Sequence, residues 1–218
     1  MQTVRWLPLL LAACSPLAAQ EVSIEASLKT ERALTGGLEW LLARQDMDGG
    51  WSFPPAEDRS APRGSRTEAA SLALLAYQTC GITHKRGEYK EQVGPGLTWL
   101  LLCGQTRSEE FEFDLRGEGG NLESHALATG ALCQAYGLTQ DKELLERSRW
   151  AVGYLVNRQR EAGGCDREPG DAGDLRTTLA AIEALTAAHM AYLNVPPAAI
   201  KKVIAFHDAL GSEEGAFY

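Results

Sequence analysis

The sequence predicts an all-α protein assembled from repeated helical hairpins, and three observations carry the prediction. An aromatic-anchored segment returns at spacings of 59, 55 and 52 residues. Between its copies lies a second helical pattern dominated by small residues. Glycine or proline clusters punctuate the joins, and no stretch alternates convincingly enough to form a strand.

The first element is an address rather than part of the fold. Residues 1–19 carry one positive charge at Arg5, an apolar stretch from Trp6 to Ala13, and then small residues, which is the layout of a secretory signal peptide. Two cleavage sites fit. One ends near Ala19, and the other lies just before Cys14, because Leu11-Ala12-Ala13-Cys14 resembles the lipobox of bacterial lipoproteins and would lipidate Cys14. Either reading predicts an exported protein: periplasmic, held at the cell envelope, or secreted. Its only expected membrane attachment is a lipid on Cys14.

Residues 20–218 then form the repeat domain. Its anchored segments centre on Trp40, Trp99, Tyr154 and Phe206, and glutamines follow the first three at Gln45, Gln105 and Gln159. Eleven residues beyond Trp40 stands Trp51, behind Gly49-Gly50. The third copy places Cys165 behind Gly163-Gly164 at that offset, and the fourth places Phe217 behind Gly215-Ala216. The second copy is one residue longer and offers Phe111. Charges such as Lys29, Glu31, Arg32, Glu143, Glu146 and Arg147 make these the outer, amphipathic helices.

The inner helices are expected over Thr67–Cys80, Glu123–Tyr136 and Asp174–Ala191, where apolar or small side chains occur nearly all round and indicate burial on more than one side. Outer and inner sets together make seven helices. Apart from Cys14, the cysteines Cys80, Cys103, Cys133 and Cys165 lack the tight spacing of a zinc site, and they read as structural thiols or as one or two disulfides.

Composition narrows the partners. The chain is 44% hydrophobic and 23% charged, with 29 acidic against 21 basic residues and a net charge of −8, so it offers no broad positive field to hold a phosphate backbone. Nucleic acid is not an expected partner.

The element Gln-x-x-x-Gly-Gly-Trp at Gln45–Trp51, after Trp40-Leu41-Leu42, resembles the QW repeat of squalene cyclases and protein prenyltransferases. Ser124–Gly137 and Leu193–Pro197 look like segments of secreted bacterial proteins with prenyltransferase and squalene oxidase type repeats. The resemblance implies an α/α toroid-like array of hairpins, here an incomplete ring. It also implies that the glutamine and the aromatic tie each outer helix to the next repeat.

The family's chemical motifs are mostly missing. Its cyclases use an Asp-x-Asp-Asp acid, of which Asp46-Met47-Asp48 is a partial match inside a turn. Its prenyltransferases hold zinc with an Asp, a Cys two residues on and a distant His, whereas Arg176 stands where the thiolate would follow Asp174. Its thioester branch uses Cys-Gly-Glu-Gln, which Cys103-Gly104-Gln105 shortens by one. No metal or other cofactor is expected, and His189 and His207 read as partly exposed helical residues.

One constellation is a candidate ligand site. The N-termini of the inner helices would gather Glu68, Glu123, His125, Asp174 and Arg176 at one rim, with Asp171 in the loop before them. The same residues also suit helix capping and dipole pairing. Two functions follow. One is an exported binding module offering a groove to a protein, a glycan or a lipid. The other is an enzyme related to terpenoid cyclases or prenyltransferases, acting on an isoprenoid in a cavity completed by a second copy in a homo-oligomer.

Overall fold

A computed structural model describes residues 16–53, 64–107, 109–170 and 173–210. The fold is all-α. Among the described residues, seven helices run in the order α1 Pro16–Leu42, α2 Arg66–Thr79, α3 Lys90–Cys103, α4 Leu122–Thr139, α5 Lys142–Asn157, α6 Leu175–Met190 and α7 Pro197–Leu210. Cys14 and most of the expected signal lie outside the described residues, as does the turn expected around Phe217.

Residues 1–40 and 41–218 form two compact units. In the first, the described stretch belongs to α1, whose Leu28, Leu34 and Trp40 are all exposed.

The second unit is layered. Helices α2, α4 and α6 lie side by side, with α3 against α2, α5 against α4 and α7 against α6. Every inner helix starts on a side-chain cap. Ser65 accepts from the Glu68 amide at 3.2 Å, Asn121 and Ser124 form a reciprocal capping box at 3.1 Å, and Asp174 accepts from the Thr177 amide at 2.7 Å. Each cap satisfies a helix-end donor that would otherwise be unpaired.

Central α4 is buried along most of its length because both neighbours and α5 press on it. Small residues allow this closeness. A Cβ at Gly130 would stand 3.7 Å from the Ala184 Cα, and one at Gly137 3.1 Å from the Ala191 Cβ.

The glutamine turns repeat at the level of single bonds. In the first, Gln45 Nε2 donates to the Gly49 carbonyl at 2.8 Å and to the Gln92 carbonyl, at the start of α3, at 2.9 Å. In the third, Gln159 Nε2 donates to the Gly163 carbonyl at 3.1 Å and to the Ala199 carbonyl of α7 at 2.9 Å. Gly49 and Gly163 have φ of 91° and 96°, and each abuts the backbone of the following outer helix, at Pro95 and Lys202, where no side chain fits. Behind them, Gly50 faces the Trp99 ring and Gly164 the Phe206 ring. Trp51 donates from its indole to the Leu41 carbonyl at 2.9 Å, and Cys165 takes the equivalent buried place in the third copy.

The second copy departs from expectation. Its turn opens into a hairpin, β1 Gln105–Arg107 against β2 Glu112–Asp114, with Gln105 opposite Asp114. In the other copies the glutamine bridges to a residue six positions on, Gln45 to Trp51 and Gln159 to Cys165. Three inserted residues therefore displace the expected anchor. Phe113 is fully buried and presses on Gly104, whereas Phe111 is exposed at φ 53°. Strands of three residues are too short to show a period of two.

The aromatic anchors also differ in depth. Trp99 and Tyr154 are buried and Phe206 is half-buried, but Trp40 is exposed. Gly36-Gly37 precedes Trp40 within α1, but a Cβ at either glycine would meet nothing within 4 Å, so this pair does not cover the ring as Gly50 covers Trp99. The four cysteines among the described residues are free thiols. Cys133 and Cys165 are buried, and burial pushes their thiols up to about 12 and about 11. Cys80, expected inside its helix, is instead exposed at the α2 C-cap.

Candidate functional site

The predicted rim exists only in part, and its residues act mainly on one another. Glu68 is buried and accepts from Ser124 Oγ at 2.7 Å, which stitches the start of α2 to the cap of α4. Glu123, also buried, accepts from Arg176 Nη2 at 2.8 Å and so ties α4 to α6. Asp174 is held by both the amide and the hydroxyl of Thr177, each at 2.7 Å. Capping and helix pairing thus engage four of the six residues. Asp171 lies outside the described residues.

His125 does not join them. It is completely buried between α4 and α5, where Nδ1 accepts from the Leu115 amide at 3.0 Å and Nε2 faces the Ala151 carbonyl at 3.0 Å. Nδ1 as an acceptor fixes the proton on Nε2. Burial pushes its pKa down to about 4, so the ring is neutral at neutral pH. Position 125 lies on the α5 side of an inner helix, which withdraws it from any ligand at the rim.

Asp46 and Asp48 are equally committed. Both pair with Arg66, at 2.8 and 2.9 Å, and the guanidinium also lies over the Trp99 ring. The hydrogen bond from Arg66 holds Asp48 down to about 2. An alkene-protonating acid needs the opposite, a carboxyl kept protonated, so Asp48 is a poor match for that role. Among the described residues, no three His, Cys, Asp or Glu side chains gather closely enough to hold a metal ion.

A trough along the inner helices, bounded at one end by α7, is the larger feature. Three cavities adjoin. The first, about 250 Å³, has Leu75, Leu127 and Gly130 in its wall and shares Gln134, Glu183 and Ala187 with the second, about 520 Å³. The second shares Ile182 and Thr186 with the third, about 410 Å³, which opens between α6 and α7 against Leu185, Ile200 and Ile204. Their lining is largely apolar, and Gln134, Glu183, Thr186 and His189 supply isolated polar groups. This combination suits a ligand with a long apolar part. In the sequence the rim is conspicuous for its charges, whereas the trough is marked by Gln134 and Glu183 among the small and apolar residues that predominate beyond the first turns of α4 and α6.

No family model matches the chain, and no curated protein matches it either.

Proposed function

We propose that this is an exported helical-repeat protein of the squalene cyclase and prenyltransferase repeat type that acts by binding, with the trough of α2, α4, α6 and α7 as its ligand site. The observation that carries the reading is the adjacency of the three cavities, each of which shares wall residues with the next. Their apolar walls favour an acyl or prenyl chain, or the apolar edge of a protein partner, over a glycan. The signal-like layout of residues 1–19 supports export. No helix among the described residues is long and apolar enough to cross a membrane.

The test is titration with an environment-sensitive fluorescent fatty acid, using the whole chain and an Ala187→Trp variant that fills the wall shared by two cavities. Saturable fluorescence that the variant loses is the expected result. Fluorescence that never saturates, or that is indifferent to the substitution in a folded variant, removes the reading. Turnover of a prenyl substrate that depends on Glu183, the carboxylate in the trough wall, would transfer the site to the enzymatic alternative.

A further inference from the structure

Away from the trough, a cavity of about 280 Å³ opens among Arg116, Leu122, Tyr154, Arg158, Asp166 and Arg167. Three cations and one anion face it, in a protein whose net charge is −8. Two of the arginines are held from behind. Arg116 forks onto Asp114 through Nε and Nη2, at 2.8 to 3.1 Å. Arg158 reaches Glu112 through Nη1 at 3.1 Å and stacks with its Cζ 3.2 Å from the Tyr154 ring centre. Against the opposing effect of burial, these bonds and one from Asn157 Nδ2 to Glu112 at 2.8 Å hold the Asp114 and Glu112 carboxyls below their ordinary range, so both remain ionised and keep the guanidiniums in place.

The remaining donors face the solvent in the cavity mouth. Nη1 of Arg116 and the Nε and Nη2 of Arg158 find no acceptor among the described residues. Arg167 has Glu123 3.9 Å away, and that carboxylate already takes a hydrogen bond from Arg176 at 2.8 Å. The Tyr154 hydroxyl, in a residue with no exposed surface, sits beside Asp114 without reaching hydrogen-bond geometry. A guanidinium carries five N–H donors and no acceptor, so such a wall is satisfied by a ligand that brings lone pairs in a compact, charged group. We propose that this cavity binds an oxyanion, a carboxylate or a phosphate group of a small ligand, between Arg116, Arg158 and Arg167.

Arginine side-chain NMR of the full chain tests the site with inorganic phosphate and, separately, acetate. The expected result is saturable movement of the Nε–H signals of Arg116, Arg158 and Arg167, while the solvent-facing Arg149 stays still. Saturation by phosphate alone identifies a phosphate ligand, and saturation by acetate extends the site to carboxylates. Replacing one charge-assisted donor in Arg167→Gln is expected to weaken binding by about tenfold, with Arg149→Gln as the neutral control. Absence of any shift in the wild-type chain, or unsaturating shifts spread over all arginines, overturns the proposal whether or not the variant folds. The trough proposal is untouched by either outcome.

Discussion

Gln45 donates from its side-chain amide to the main-chain carbonyl of Gln92, 47 residues further on, at 2.9 Å. Gln159 and Ala199 repeat the bond at the same distance across 40 residues. One nitrogen serves two acceptors in each case, the carbonyl of its own turn and that of the next outer helix. The bond pair needs two N–H donors on one atom, which the glutamine amide supplies. A repeat visible as sequence is therefore a hydrogen-bonding device that fixes consecutive hairpins to each other.

Removing it should cost stability in a copy-specific way. Gln45→Ala and Gln159→Ala each free two carbonyls and should lose about 1–3 kcal/mol in urea unfolding. Gln45→Glu should be no better, since a carboxylate cannot donate. Gln105 is exposed, and its side chain makes no comparable pair of bonds, so Gln105→Ala should stay within about 0.5 kcal/mol. Equal losses at all three positions would show that the glutamines act through something other than these bonds.

The helices were legible because their periods are long enough to read. Asp174 was readable as a cap, and small residues at 130, 137 and 184 announced close packing of inner helices. The hairpin was not, because an insertion of three residues leaves no periodic trace, and copy-to-copy alignment pointed to Phe111 when Phe113 holds the buried place. His125 leaves the rim for a related reason: position along a helix is readable in the sequence, but the side of the helix is not. Thr129, one turn on and also bonded to that ring, was the available hint.

His125 gives the fold an acid sensitivity whose sign is fixed by its environment. Its folded pKa of about 4 lies below the ordinary 6.5, so the unfolded chain takes up the proton first. Full stability is present above about pH 6.5 and falls as the pH drops towards 4, by about 3 kcal/mol in all. Protonation would place an N–H at Nδ1 against the donating Leu115 amide. Carboxylates with lowered pKa, such as Asp114 and Asp174, lose their contribution only below about pH 4, where the unfolded chain begins to protonate them. Urea midpoints measured between pH 7 and 4.5 should therefore decline in the wild type and stay nearly flat in His125→Gln, although that variant starts from lower stability. A parallel decline in both proteins would assign the sensitivity elsewhere.

Phe111 and Phe113 separate the inserted hairpin from the repeat it interrupts. Phe113 has no exposed surface, lies against Gly104 and carries the Arg147 guanidinium 5.1 Å from its ring centre. Phe111 is 67% exposed, touches Trp150 edge-on at 6.2 Å, and holds a positive φ that suits glycine better than a large side chain. Truncating Phe113 to alanine should leave a cavity between β2, α3 and α5 and cost about 3–5 kcal/mol. Phe111→Ala should cost well under about 1 kcal/mol, because little area is lost. Phe111→Gly sets relief of the left-handed strain against a more flexible unfolded chain, so it should differ little from the alanine variant. Urea unfolding of the three variants decides the matter: if Phe111 proves the costlier truncation, the anchor of the second copy lies where simple repeat alignment placed it, and the three-residue insertion has not shifted it inward.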